Sequence, residues 1–340
     1  MRKTVTLATL AKELGLSESA VSKALNGYSD ISPETKKLVR SKADELGYSP
    51  NLMARNLAKK SFEKKTSNFI GVVLSDSSSI YGEMFKSLNA VARRNGLSVI
   101  LCDSGNDVAV ETACVQNLMD MMAMGIVIVP VSENIDHIRK MTKDRMPAVY
   151  LGGRVRDDAV NYVCTDSGEG TELALRHLVK RGHRKIVMLC DQQTSGLKSR
   201  KVQAYQALMR SLWQQEQILY CDGTESDMLQ VGYKLGKRLL ESGTDFTALF
   251  AAEDRLAIGA MCALKEAGIK VPEQVSVVGY DGSDAAALQM VGLTTMVQPR
   301  MEMAEKIMEM ILKQANEPDA APEHYLAKVQ LMIRNSTSVR

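Results

Sequence analysis

Residues 6–27 read TLATLAKELGLSESAVSKALNG, and the spacing inside this stretch decides how the chain begins. Thr6 is placed to cap a first short helix, LATLAKEL, which Gly15 can end in a left-handed conformation. Ser17 caps a second helix that stops at Asn26-Gly27. Ala11, Gly15 and Val21 stand where a helix-turn-helix needs three different things. These are a small residue at the crossing, one tolerant of positive φ in the turn, and a β-branched residue packing back. Leu7, Leu10, Leu14, Leu16 and Leu25 supply a shared apolar core. Downstream, Ser32-Pro33-Glu34 opens a third helix, with Pro at the first helical position and Glu in the first turn, and Gly47 closes it. A three-helix bundle of no particular purpose is the plainer reading. The polar start of helix two (Ser17, Glu18, Ser19, Ser22, Lys23) points to DNA instead.

Charge supports that choice. Residues 1–65 hold 13 Lys/Arg against 7 Asp/Glu, whereas the rest of the 340-residue chain holds 30 against 33. A basic head on a faintly acidic body suggests a polyanion partner for the head alone. With 45% hydrophobic and 24% charged residues, the chain is neither a disordered tail protein nor a collagen-like repeat. Its length predicts two domains or slightly more. The longest apolar stretch, Met124 to Val131, is far short of a membrane helix, and no secretory signal is visible, so a cytoplasmic protein is expected. Six cysteines without a CxxC pattern read as reduced, mostly buried thiols. Cys164, His177, His183 and Cys190 are the one constellation that resembles a metal set. Their spacing fits no recognised ligand pattern, so no metal or cofactor is expected.

From Asn68 onward short apolar runs alternate with longer amphipathic ones. Strands are predicted at 69–74, 97–102, 126–129, 148–151, 161–165, 185–190, 217–221, 247–251 and 275–280. Helices are predicted at 82–95, 109–123, 134–144, 168–181, 199–212, 227–241, 254–267 and 299–315. Strands apolar throughout and separated by helices indicate parallel sheets covered on both faces. Two such sets imply two α/β lobes with a ligand cleft at the strand carboxyl ends. No GxxxxGK[ST], HExxH, GxSxG or post-strand GxGxxG motif is present. The nearest thing to a Gly loop, Asp166-Ser167-Gly168-Glu169-Gly170, carries acids that would repel a phosphate. Binding is favoured over catalysis, and an enzyme is not expected.

The residues themselves resemble a known family. TLATLAKELGLSESAVSKALNG, ISPETKKLVRSKADELGYSPN and MARNLAKK are similar to the DNA-binding head of the LacI/GalR family of bacterial transcription repressors. The likeness continues through Phe69-Ile70-Gly71-Val72, Gly182-His183-Arg184-Lys185-Ile186, Ala257-Ile258-Gly259-Ala260 and Val278-Gly279-Tyr280-Asp281. It implies an all-α helix-turn-helix head at 1–50, a hinge helix and linker at 51–67, and an α/β two-lobed, periplasmic-binding-protein-like core with parallel sheets at 68–340. The lobes are expected at about 68–161 plus the stretch near 292–324, and 162–291 plus the C-terminal strand. By the same resemblance, double-stranded operator DNA would be contacted by Thr6, Ser17, Glu18, Ser19, Ser22, Lys23 and Asn26. Lys23 stands where relatives usually carry Arg. Asn51, Ala54, Arg55 and Leu57 would form the hinge helix, with Ala54 and Leu57 entering the minor groove and the leucine bending the duplex. One helix-turn-helix reads only a half-site, so a homodimer is expected.

In the core, the resemblance implies a sugar-like effector. Asp281, just past the apolar strand VVGYD, matches the family's sugar-binding aspartate. Lys201 stands where an effector-contacting Arg is usual, with Arg200 beside it. Glu253 replaces an amide, Asp166 and Gln298 match recurrent pocket positions, and Tyr81 can supply a stacking plate. Gly282 removes a second carboxylate that many relatives carry. Each has a duller reading: Asp281 as a strand-end turn residue, Arg200 and Lys201 as a solvated helix start, Glu253-Asp254 as a cap with its dipole partner. The expectation is a sequence-specific, effector-controlled repressor. Two alternatives stay open: a regulator whose core answers to a phosphocarrier-type protein, and a soluble sugar-binding protein, which residues 1–58 argue against.

Overall fold

The computed structural model describes residues 5–25, 28–48, 67–76, 79–190, 199–221 and 227–340. The chain divides into two compact units, Met1–Ser67 and Asn68–Arg340.

The first unit holds α1 (Leu7–Leu14), α2 (Glu18–Leu25) and α3 (Pro33–Leu46). Thr6 caps α1, Ser32 caps α3, and Gly15 and Gly47 end α1 and α3 at φ of +64° and +65°. Leu10, Ala11, Val21, Ala24, Val39 and Ala43 form its buried core, with Leu7, Leu14, Leu16 and Leu25 packed around them. Ala11 and Val21 therefore share one buried core, as a helix-turn-helix requires.

The second unit contains two six-stranded sheets. In the first lobe, β1 (Phe69–Leu74), β2 (Ser98–Asp103), β3 (Ile126–Ile128), β4 (Ala148–Leu151), β5 (Asn161–Thr165) and β11 (His324–Ala327) lie in the order β11-β5-β4-β3-β1-β2. In the second, β6 (Ile186–Cys190), β7 (Ile218–Tyr220), β8 (Ala248–Ala251), β9 (Ser276–Asp281), β10 (Thr294–Val297) and β12 (Gln330–Met332) lie in the order β12-β10-β9-β8-β6-β7. Every pairing is parallel except β10 with β12. Alternate residues of one strand feed cores on opposite faces. Ile70, Val72 and Leu74 pack beneath α4 (Ser79–Arg94) and α12 (Arg300–Asn316), while Val73 packs beneath α5 (Val108–Asp120) and α6 (Asp136–Thr142). The second sheet is sandwiched likewise. On one side lie α7 (Ser167–Lys180) and α8 (Arg200–Ser211), and on the other α9 (Met228–Glu241) and α10 (Asp254–Glu266). A four-residue helix, α11 (Asp284–Ala287), follows β9.

The chain crosses between lobes after Thr165, after Val297 and after Ala327. This corrects the sequence-based lobe limits at two places. Residues 162–165 belong to the first lobe, because β5 completes its ladder with β4 and β11. Residues 292–297 belong to the second, because β10 pairs with β9. A strand stays with the sheet that satisfies its backbone, so crossings fall at strand ends. The C-terminal strand expected in the second lobe is β12, whereas β10 and β11 are absent from the predicted strands: each is short, and β11 is a half-exposed edge without an apolar run.

Candidate functional site

In the head, α2 presents Glu18 and Ser19 to solvent, with Ser22 and Lys23 half-exposed behind them. Ser17 Oγ accepts from the Ala20 amide at 3.2 Å and so starts the helix. Thr6, also exposed, accepts from the Thr9 amide at 3.2 Å, and Thr9 returns the favour to the Thr6 amide at 3.4 Å. The Lys23 ammonium rests on the Asp30 carboxylate at 2.5 Å, which raises the lysine's pKa by hydrogen bond and charge. Both side chains are open to water, so the pair is weak and a phosphate can displace the aspartate. Asn26, Asn51, Ala54, Arg55 and Leu57 lie outside the described residues.

In the core, β9 delivers Asp281 at its carboxyl end, 8% exposed and with φ at +118°. A non-glycine residue holds such a backbone only when its neighbours over-determine it. Gln298 Nε2 donates to Asp281 Oδ1 at 2.9 Å, and Arg300 Nη1 donates to the Asp281 carbonyl at 2.8 Å. Burial pushes the Asp281 carboxyl up to about 7, against the pull of Lys201, and Asp254 pushes the same way as burial. Gly282 follows at φ +70°, and a Cβ there would meet Val297 Cα at 2.8 Å. The missing second carboxylate therefore has no room in this backbone.

Lys201, in the first turn of α8, holds its ammonium 3.7 Å above the Tyr280 ring and donates to the Ala252 carbonyl. Tyr81, in the first turn of α4, comes from the other lobe. Burial pushes its hydroxyl up to about 12; Arg154 opposes this, while Asp76, Asp281 and Glu253 add to it. Tyr81, Glu253, Asp281, Lys201 and Gln298 thus share one neighbourhood between the lobes. Such a set can accept from vicinal hydroxyls, donate from an ammonium and an amide, and present an aromatic face.

The structure separates the duller readings. Asp166 is a cap: its Oδ1 accepts from the Gly168 and Glu169 amides at 3.0 and 3.1 Å, and its Oδ2 lies 3.8 Å from Arg200 Nη1. These two pair with each other rather than with Asp281. Glu253 occupies the N-cap position of α10 but makes no side-chain capping bond. Asp254 is no surface dipole partner. It is 1% exposed and accepts from the Ser283 amide and the Thr295 hydroxyl, with burial raising its pKa. Gly279 exists for it, since a Cβ there would meet Asp254 Oδ1 at 2.4 Å. Gly170 of the acidic loop is likewise a packing glycine, its missing Cβ 2.5 Å from the Tyr280 hydroxyl.

Three residues at the cleft escaped sequence reading. Arg154 Nη1 donates to the Pro130 and Val131 carbonyls at 2.9 and 2.8 Å. Arg300 and Glu83 form an ion pair at 2.8 Å. Arg300 did leave a signal: it opens α12, where a cation opposes the helix dipole and needs another reason to be there. The Cys/His quartet resolves otherwise. His177 bonds Thr337 at 3.0 Å, and His183 bonds Thr247 at 2.9 Å and the Ser338 carbonyl at 3.2 Å, so both hold the C-terminal tail. Among the described residues no group of three or more ligating side chains could hold a metal, and no helix is long and apolar enough to cross a membrane.

Comparison with known proteins agrees with both units. Residues 6–51 match the model for bacterial regulatory proteins of the lacI family, and residues 175–337 match that for a periplasmic binding protein-like domain. The chain is 30% identical to the HTH-type transcriptional regulator AscG of Escherichia coli (strain K12), over 93% of this chain and 94% of that protein. It is also 30% identical to the HTH-type transcriptional repressor PurR of Mannheimia succiniciproducens, over 97% of this chain and 98% of that protein. Among solved structures it resembles the lac repressor dimer bound to operator and the anti-inducer ONPF. That match has a TM-score of 0.83 at 26% identity, covering 99% of this chain and 100% of that one.

Proposed function

The chain belongs to the lacI family of bacterial regulatory proteins, and from that membership we propose a dimeric, cytoplasmic repressor whose operator affinity is set by a small polyhydroxylated effector bound at Asp281. The head is the DNA-binding part. Helix α2 enters the major groove with Ser17, Glu18, Ser19, Ser22 and Lys23, while Thr6 and the hinge residues hold the duplex. Lys23 exchanges Asp30 for a phosphate on docking. The observation that carries the effector reading is Asp281, a buried carboxylate at a strand carboxyl end, flanked by Gln298 and Lys201. An aspartate needed only to turn the chain would not be kept in a strained backbone with an ammonium nearby. Glu253 in place of an amide favours a ligand with more donors than acceptors at that end.

The test starts from a duplex that the full chain selects out of a randomised pool. Sugars, sugar phosphates and nucleobases are then screened by thermal shift, since a selective ligand stabilises the folded state by mass action. Asp281→Asn should bind the selected duplex as the parent does and lose the response to the active compound. A response that survives the substitution intact would remove Asp281 from the effector site.

A further inference from the structure

Three consecutive amides after β9 end on side-chain acceptors. Gly282 N–H meets Thr295 Oγ1 at 3.3 Å, Ser283 N–H meets Asp254 Oδ2 at 2.6 Å, and Asp284 N–H meets Glu83 Oε1 at 2.8 Å. Thr295 and Asp254 belong to the same lobe as these amides, but Glu83 lies on α4 in the other. The second Glu83 oxygen is 2.8 Å from Arg300 Nη2, and the two side chains are only 11% and 17% exposed. Arg300 opens α12, which packs against α4 in the first lobe. From there its guanidinium reaches back into the second lobe and donates to the Asp281 and Gly282 carbonyls, each at 2.8 Å. Lys86 of α4 adds an exposed pair with Asp284 at 3.4 Å.

We propose that Glu83 and Arg300 are positioning residues for the effector carboxylate: they clasp the Asp281–Asp284 segment to the opposite lobe, so that lobe orientation sets the backbone that aims Asp281. The inference rests on Asp281 being an effector residue. Its physics comes from the fork. A planar guanidinium can donate to two carbonyls while its charge lies against one carboxylate, which a point charge cannot. If the lobes rotate, either the carbonyl bonds or the Glu83 bonds must open, and a half-buried pair broken on one side is costly. Asp281 keeps its φ of +118° only while that frame holds. A ligand that moves the Asp281 backbone therefore biases the lobes, and the lobes bias its binding by the same factor.

Hydrogen exchange at single-amide resolution on the full chain tests the clasp without any ligand. Glu83→Ala should speed exchange of the Asp284 amide by about tenfold, while the Ser283 amide, held by Asp254 inside its own lobe, keeps its rate. Arg300→Gln should speed both Gly282 and Asp284. Arg300→Lys should restore Asp284, because the charge opposite Glu83 returns, but not Gly282, because the fork does not. The double variant should be no faster at Asp284 than the faster single. Amides of residues 256–264 in α10 serve as the folding control, with Glu83→Gln as the milder substitute if Ala loosens them. Wild-type rates at Asp284 in the Glu83 and Arg300→Gln variants, multiplying effects in the double, or full rescue by Lys would each overturn the clasp. Failure of the effector reading is distinguishable: Asp281→Asn would then keep its sugar response while the exchange pattern stands.

Discussion

Asp281 joins two costs at one residue, a left-sided backbone and a buried carboxylate, and its titration makes the second measurable. Its pKa is about 7 in the folded protein against 3.8 for the free group. Between those values the folded state keeps a proton that the unfolded chain has released. Stability contributed by this group is therefore fully present below about pH 4 and is lost as pH rises through about 7. The loss is on the order of a few kcal/mol. Asp281→Asn should remove that slope, so the stability difference between variant and parent should grow from pH 4 to 7 and then level off. Urea unfolding at several pH values checks it, and a flat difference would mean that burial does not raise the Asp281 pKa. His177 works in the opposite sense: burial lowers its pKa from 6.5 to about 4, so stability falls as pH drops through that window. Because His177 is present in both proteins, its contribution cancels in the comparison.

At the scale of elements, the α9–α10 pair shows why a motif needs its glycine. A Cβ on Gly259 would stand 2.1 Å from the Leu229 carbonyl oxygen, and one on Gly232 would stand 2.2 Å from that of Leu256. Both obstacles are backbone, so no rotamer can relieve them. The two helices touch main chain to main chain, and this contact covers the β8–β9 face that ends at the cleft. Gly259→Ala must push them apart at a cost of about 2–3 kcal/mol, despite Ala being the better helix former. Chemical denaturation should show a lower midpoint with an unchanged slope. An unchanged midpoint would show that the helices are free to separate.

For the whole molecule, the two units have separate cores, one small cluster in the head and four around the sheets of the body. A chain beginning at Asn68 should therefore fold, keep the thermal response to whichever compound stabilises the full protein, and lose the selected duplex at physiological salt. The basic excess of residues 1–65 leaves with the head, and with it the counterion release that drives association. Gel shift and thermal melting on the fragment decide this. Duplex binding that persists would relocate the DNA site to the body.

Local chemistry wrote much of this protein in advance. Caps at Thr6 and Ser32, left-handed stops at Gly15 and Gly47, and uninterrupted apolar strands such as FIGVVL and SVVGYD each act within a few residues, so helices, strands and doubly covered sheets were legible. Asp281 and Tyr81 could be named as well, since strand ends mark cleft positions in an α/β sheet, while Gln298, Lys201 and Glu253 were named by the resemblance to the family. Which of the named residues meet was not legible. Asp166 turned to its own helix, Lys201 settled on Tyr280, and Arg300 reached Glu83 across more than two hundred residues of chain. β10, β11 and the lobe crossings also waited for the fold, because a four-residue strand with no long apolar run is defined only by the neighbour that accepts its hydrogen bonds. Propensity and capping are local energies and can be read along the chain. Clefts, clasps and edge strands are contacts between distant segments, and only packing two lobes in space brings those charges within reach of each other.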